Sequence, residues 1–213
     1  MGKINQGILG GFSGKVGNVI GGNWKGIDYM RVKPASVANP RTEGQLDQRS
    51  KFSTVLKFLQ PMKDFIKVGY KGYANQMTEF NSAMSYNLKN AVTGTYPDYE
   101  IDYANSLISR GGLASALNGA ATSALAGRIE FTWDNNSDAG NASMTDKAYV
   151  LAYNKVKNEV VYSLSTATRM VGRHTLTVPD SWSGDDVEGF ISFTTFIGDE
   201  NSNSKYIGSV TIS

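Results

Sequence analysis

The sequence predicts an α+β protein that is mainly β: an N-terminal β-ribbon, then amphipathic helices, then a C-terminal β-sandwich. Glycines separate short strand-like segments up to about residue 34, and apolar residues recur at helical spacing between about 40 and 91. From Gly127 onward, alternating polarity and regularly spaced turn residues are typical of strands. We therefore expect two domains, a ribbon plus helical region at 1–110 and a β-sandwich at 111–213.

The glycine-rich start has the features of short strands joined by tight turns. Residues 27–32 alternate in polarity, and the glycines before Asn23 and after Trp24 suit hairpin turns that require positive φ. An isolated ribbon of this kind is marginally stable. We therefore expect a neighbouring element or a neighbouring subunit to cover it.

The helical region has a clear start signal and a clear break. Asn39 is a good N-cap and Pro40 suits the first helical position. Pro61 interrupts the pattern, so we expect a break there and a further helix over residues 74–91. The apolar residues at helical spacing in the first helix are Leu46, Phe52, Val55, Leu56 and Leu59.

The C-terminal region predicts six strands, with a seventh near Leu113 or Leu125. Its first strong strand places Phe131 and Trp133 in the core. This pattern resembles fibronectin type III and Ig-like domains. The predicted strands are residues 128–133, 148–153, 160–164, 175–178, 190–196 and 206–212.

The composition excludes several classes of protein. The chain of 213 residues contains no cysteine, so it has neither disulfides nor thiolate metal sites. It contains no run of 18 apolar residues, and no apolar run of signal-peptide length follows Met1. We therefore expect no membrane span and no export signal in the chain as given. A cytoplasmic or virion-associated location stays open, and so does an export leader that was removed.

Charge is distributed unevenly along the chain. Residues 1–90 carry 13 basic and 5 acidic side chains, whereas residues 91–213 carry 8 and 14. This asymmetry fits head-to-tail contact between copies, nucleic acid on the basic half, or two solvated faces without a partner. Nucleic acid is the least favoured, because Arg49 and Lys63 fall on different sides of the apolar helical stripe.

No catalytic motif is complete, so we expect no enzyme and no cofactor. The segment from Gly10 to Lys15 is one residue short of a phosphate-binding loop, and Val16 replaces the hydroxyl residue that such a loop needs. His174 is the only histidine, and no serine lies in a nucleophile elbow.

Two acidic loops and one tryptophan are the remaining candidates for a binding site. Residues 134–138 and the acidic set around Gly184 leave a calcium site open, although neither has EF-hand spacing. Trp182 lies in a turn-rich stretch and, if exposed, predicts a contact for a glycan or a protein. The acidic set around Gly184 is Asp180, Asp185, Asp186 and Glu188.

Several segments are similar to a known family. These are residues 11–19, the Trp24-Lys25-Gly26 turn, Asn39-Pro40-Arg41-Thr42-x-x-Gln45 with Arg49, and residues 131–135. They resemble a family of uncharacterised proteins from Bacteroidetes, and the first half is also similar to proteins encoded in phages and prophages. The family resemblance carries over no catalytic residues, and the similarity to phage proteins implies a subunit of a virion-type or other assembly.

Together these features favour a non-enzymatic structural subunit that associates with itself or with a larger particle. A glycan- or protein-binding module is the alternative, and a nucleic-acid-binding protein is a more distant one. The predicted contact residues are Lys15, Trp24, Tyr29, Arg31, Arg41, Gln45, Arg49 and Trp182.

Overall fold

The structure is a computed structural model that describes residues 3–4, 11–24, 26–36, 41–74 and 77–213. The chain divides into two compact units, Met1–Thr42 and Glu43–Ser213. The sequence pattern instead predicted a domain boundary between residues 110 and 111. The two divisions differ because the helices after residue 43 share a hydrophobic core with strands of the C-terminal region.

The first unit contains a four-stranded antiparallel sheet in sequence order. Tight turns join its last three strands, and Gly17 and Gly26 adopt the positive φ values of 57° and 85° that these turns require. The strands are β1 (Lys3–Ile4), β2 (Phe12–Val16), β3 (Val19–Trp24) and β4 (Ile27–Val32).

Three helices open the second unit: α1 (Glu43–Leu59), α2 (Lys63–Gly69) and α3 (Glu79–Asn90). The predicted break at Pro61 is confirmed, since it lies between α1 and α2. The predicted helix start is wrong in position, because Arg41 has a left-handed φ of 47° and α1 begins only at Glu43. The predicted cap residues 39 and 40 lie outside the described residues.

The rest of the second unit is almost entirely β. A hairpin of β5 (Val92–Thr95) and β6 (Asp98–Ile101) precedes two larger antiparallel sheets, so the protein as a whole is mostly β. One sheet has the order β10-β9-β12-β13 and the other β11-β8-β7. Their strands are β7 (Leu117–Thr122), β8 (Arg128–Asp134), β9 (Lys147–Asn154), β10 (Glu159–Thr168), β11 (Arg173–Thr177), β12 (Asp186–Thr194) and β13 (Lys205–Thr211).

The two larger sheets share one hydrophobic core. Alternate residues of β8 are buried in it, including Phe131 and Trp133, as the sequence predicted. Val150 of β9 and Phe193 of β12 join them from the other sheet, and the Trp133 and Phe193 rings meet edge to face at 5.7 Å. The two sheets therefore form two packed layers.

The helices form a third layer on the opposite face of the four-stranded sheet. Phe58 of α1 packs against Tyr153 of β9 and Phe190 of β12, with ring centroids 5.3 and 6.3 Å apart. Strand β9 is consequently buried on both faces along nearly its whole length. In the part of the chain that the structure describes, no helix is long and apolar enough to span a bilayer.

Candidate functional site

The register of the N-terminal ribbon assigns its side chains to two faces. Residues directly opposite each other in neighbouring antiparallel strands point to the same face. Trp24 pairs with Ile27, and Ile20 pairs with both Lys15 and Arg31. Tyr29 falls on the same face because it lies two residues from Ile27 and Arg31. We call this surface the cationic face, and it carries all four ribbon residues that the sequence singled out: Lys15, Trp24, Tyr29 and Arg31.

The opposite surface is dominated by aliphatic and thioether side chains, and we call it the apolar face. Val19 pairs with Val16 on one side and with Val32 on the other, and Met30 follows on the same face. Sequence reasoning named none of these as contact residues. The signal was present in the alternation of residues 27–32, which places Met30 and Val32 opposite to Arg31.

Glycines allow side chains to lie close against the backbone of this ribbon. A Cβ atom at Gly21 would stand 2.1 Å from the carbonyl oxygen of Phe12, so no larger residue fits there. A Cβ atom at Gly22 would stand 2.9 Å from the hydroxyl oxygen of Tyr29, which therefore lies across the strand on the cationic face. Asn23 fixes the following turn by donating to Asp28 at 2.7 Å and accepting from the amide of Gly26 at 3.0 Å.

Large side chains on both faces are exposed. Trp24 and Ile27 are 64% and 66% exposed on the cationic face, and Met30 and Val32 are 70% and 74% exposed on the apolar face. Every residue of β4 is exposed, and β4 is an edge strand of the sheet in the described part of this unit. Contiguous exposed apolar surface and an open sheet edge are both typical of interaction sites.

The two compact units differ in net charge. Residues 1–42 carry six basic side chains and one acidic side chain, whereas residues 43–213 carry 15 and 18. The ribbon unit is thus strongly basic and the larger unit is mildly acidic. Surfaces of opposite charge attract one another and speed association between proteins.

The other predicted contact residues lie outside the ribbon strands. Gln45 and Arg49 are exposed and four residues apart on α1, so they share one side of that helix. Arg41 is exposed just before α1. The structure therefore groups the predicted residues by element, four on the cationic face and two on one helix side.

The prediction of Trp182 as an exposed contact is wrong. Trp182 is fully buried in the core between the two larger sheets, at the end of a 3₁₀ turn. Its indole Nε1 donates a hydrogen bond to Glu159 Oε2 at 3.0 Å. The surrounding turn residues suggested exposure, but the turn itself directs the ring inward.

The acidic residues around Gly184 do not converge. Asp185 accepts from Asn154 and Lys157, and the Lys157 bond is the main reason that its pKa is lowered. Asp186 accepts from the Thr211 hydroxyl at 2.6 Å. Among the described residues, no group of three or more histidine, cysteine or acidic side chains is arranged to hold a metal ion.

His174 lies on β11, at the edge of the three-stranded sheet. It is partly buried, and this burial lowers its pKa.

The described residues define a mostly β protein with a helical layer on one sheet and an N-terminal ribbon that exposes aromatic, cationic and aliphatic side chains. The chain belongs to DUF6266, a family of unknown function whose model matches residues 11–208. No curated protein matches the sequence. Among solved structures, the fn3 domain of the human collagen alpha-1(XX) chain is 10% identical with a TM-score of 0.35. The match covers 48% of this chain and 89% of that one.

Proposed function

We propose that this protein is a non-enzymatic structural subunit that assembles with copies of itself through its N-terminal ribbon. The observation that carries the proposal is the exposure of every residue of β4 together with large apolar side chains on both faces of its sheet. A thin sheet that exposes large apolar side chains on both faces is unstable unless another surface covers it. A second copy offers such a surface wherever the protein is present.

The apolar face supplies the main driving force in this proposal. Val16, Val19, Met30 and Val32 are all exposed there. Complete burial of one such side chain contributes about 1.5–3 kcal/mol. Because these four are only partly exposed at present, covering them contributes roughly 4–7 kcal/mol, which is comparable with the lower part of the roughly 4–15 kcal/mol that association costs in lost freedom. Pairing of the open β4 edge with a neighbouring strand would add main-chain hydrogen bonds.

The cationic face supplies specificity. Trp24, Tyr29 and Arg31 are of the three residue types that most often dominate binding energy at protein interfaces. Lys15 and Arg31 give this face positive charge, which complements the acidic unit of a neighbouring copy. A contact between two different surfaces of identical chains is heterologous, and it generates rings or filaments rather than a closed dimer.

The particle that such a subunit builds is proposed from resemblance alone. The ribbon and the segment that precedes α1 are similar to phage and prophage proteins, so we propose a virion-type assembly. We further propose that the two larger sheets form a fibronectin-III-like sandwich. Their four-stranded and three-stranded antiparallel layers, with Trp133 in the shared core, support this classification.

A pair of surface variants tests the assembly proposal. The double variant Met30→Lys and Val32→Lys places charge on the apolar face, and Val156→Lys is the control because Val156 is 73% exposed in the other unit. In sedimentation velocity, we expect the double variant to weaken association by at least about a hundredfold, because buried unpaired charge is costly. Val156→Lys should associate like the unmodified protein. Identical sedimentation of both variants would contradict the role of the apolar face.

A further inference from the structure

The larger unit contains a cavity that the assembly proposal does not use. It has a volume of about 580 Å³ and lies between α1, β6 and the end of β9. This volume falls within the range of small-molecule sites in proteins. Its lining includes Phe58, Tyr103 and Tyr153, with Lys57, Glu100 and Lys155 among the charged groups.

The aromatic part of the lining is rigidly packed. Phe58 and Tyr153 are 2% and 4% exposed, and their ring centroids are 5.3 Å apart. Tyr103 lies 5.6 Å from Phe58 and 6.2 Å from Tyr153, again measured between ring centroids. Because these rings pack against one another and the core, the cavity is formed before any ligand arrives.

One hydroxyl group in the lining is available to a ligand. Tyr153 donates its hydroxyl to Asn158 at 3.0 Å, whereas the Tyr103 hydroxyl makes no hydrogen bond with any residue that the structure describes. A tyrosine is ordinarily protonated at neutral pH, and burial raises the pKa of Tyr103 further. The phenol therefore retains the ability both to donate and to accept.

The charged groups of the lining balance one another. Lys155 binds the buried carboxylate of Glu188 at 3.2 Å, and Glu188, which lies outside the lining, also accepts from Tyr206 at 2.7 Å. Lys57 and Glu100 are exposed and have opposite charge. The lining thus offers donors and acceptors without a large net charge.

The geometry points to a binding site for a neutral saccharide in this cavity. A sugar ring has an apolar C–H face that fits against the partly exposed ring of Tyr103, and it carries hydroxyls that both donate and accept. A compact anion would face the carboxylate of Glu100, and the charge of Lys155 is already compensated by its bond to Glu188. A fully apolar ligand would bury the Tyr103 hydroxyl and Lys57 without partners, which is unfavourable. This site is independent of association through the ribbon.

Saturation-transfer NMR on the full chain tests the site with four neutral disaccharides: cellobiose, maltose, lactose and N,N′-diacetylchitobiose. Inorganic phosphate, measured by calorimetry, serves as the anionic comparison. We expect at least one disaccharide to bind more tightly than phosphate. Tyr103→Phe, which removes only the hydroxyl, should weaken that sugar about tenfold, as should Lys57→Met. Tyr73→Phe is the matched control, because Tyr73 is 40% exposed and lies outside the cavity lining.

Three results would overturn the inference. The first is the absence of saturation transfer to all four sugars. The second is phosphate binding that is tighter than that of any sugar. The third is a pattern of variant effects that places the sugar elsewhere. Either both Tyr103→Phe and Lys57→Met leave the sugar affinity unchanged, or Tyr73→Phe lowers it as much as those two variants do.

Discussion

Arg169 and Asp146 form a buried ion pair, with Arg169 Nε donating to Asp146 Oδ2 at 3.1 Å and both side chains almost inaccessible to water. Arg169 Nη2 also donates to the carbonyl of Ala114 at 2.8 Å, and Nη1 donates to the side chain of Asn136. The guanidinium lies over the ring of Phe193 at 3.9 Å. One side chain thus links four segments that are distant in sequence.

Breaking this ion pair should destabilise the larger unit strongly. Arg169→Met leaves the buried Asp146 carboxylate without its partner, and Asp146→Asn leaves the buried guanidinium without its counter-charge. We expect each change to cost about 3–5 kcal/mol in the free energy of unfolding measured with urea. Lys51→Met, which removes the partly exposed pair with Asp47, should cost much less, because solvent screens that pair. Similar costs for the Lys51 and Arg169 variants would contradict this account.

The two tryptophans singled out by the sequence should respond in opposite ways to truncation. Trp182→Ala empties a fully buried site, so we expect a loss of about 3–5 kcal/mol in the unfolding free energy of the larger unit. Trp24→Ala removes a side chain that is 64% exposed in the other unit, and should change that free energy by less than about 0.5 kcal/mol. Instead, Trp24→Ala should weaken association. The opposite pattern of stability changes would contradict the assignment of Trp182 to the core.

The helical layer should be required for the sheets to stay folded. A fragment covering residues 111–213 lacks all three helices and exposes Tyr149, Leu151, Tyr153 and Phe190 of the second core. We expect it to bind a hydrophobic dye strongly and to aggregate. The fragment 43–213, which matches a compact unit, should unfold in one cooperative transition. A soluble, cooperatively folded 111–213 fragment would instead support the boundary between residues 110 and 111.

Alkaline pH should destabilise the larger unit. Burial raises the pKa values of Tyr103, Tyr149, Tyr153 and Tyr206, and the bond to Glu188 raises that of Tyr206 further. In the unfolded chain these phenols ionise near pH 10. The stabilisation is therefore complete below about pH 10 and is lost as the pH rises toward the folded-state values.

Urea unfolding at a series of pH values, with tyrosinate absorbance as a second signal, measures this dependence. We expect the free energy of unfolding to fall above about pH 10 and tyrosinate absorbance to rise on unfolding. Tyr206→Phe removes one of these phenols and should reduce the slope. A flat profile up to pH 11, or the same slope in Tyr206→Phe, would contradict the burial of these groups.

Local sequence patterns predicted many of the elements. Alternation identified β8 with Phe131 and Trp133 facing inward, and Pro61 marked the break between α1 and α2. The prediction of β12 was shifted, since the strand begins at Asp186 and ends at Thr194. The ends of this strand depend on its pairing with β9 and β13. The polarity pattern of a single strand carries no information about that pairing.

Tertiary packing decided the features that the sequence did not predict. The apolar run of residues 148–153 is typical of a strand buried on both faces, but no local pattern shows that α1 and α2 cover its second face. Trp182 is buried because its 3₁₀ turn faces the core, which its polar neighbours do not reveal. The cationic face is the converse case, because strand alternation was enough to group Trp24, Tyr29 and Arg31.

The mass of the untagged full-length protein in solution tests the central claim most directly. Multi-angle light scattering over a concentration series up to about 100 μM should give a mass well above the 23.1 kDa of one chain, rising with concentration as heterologous assembly requires. A mass of 23.1 kDa throughout that range would contradict self-assembly through the ribbon.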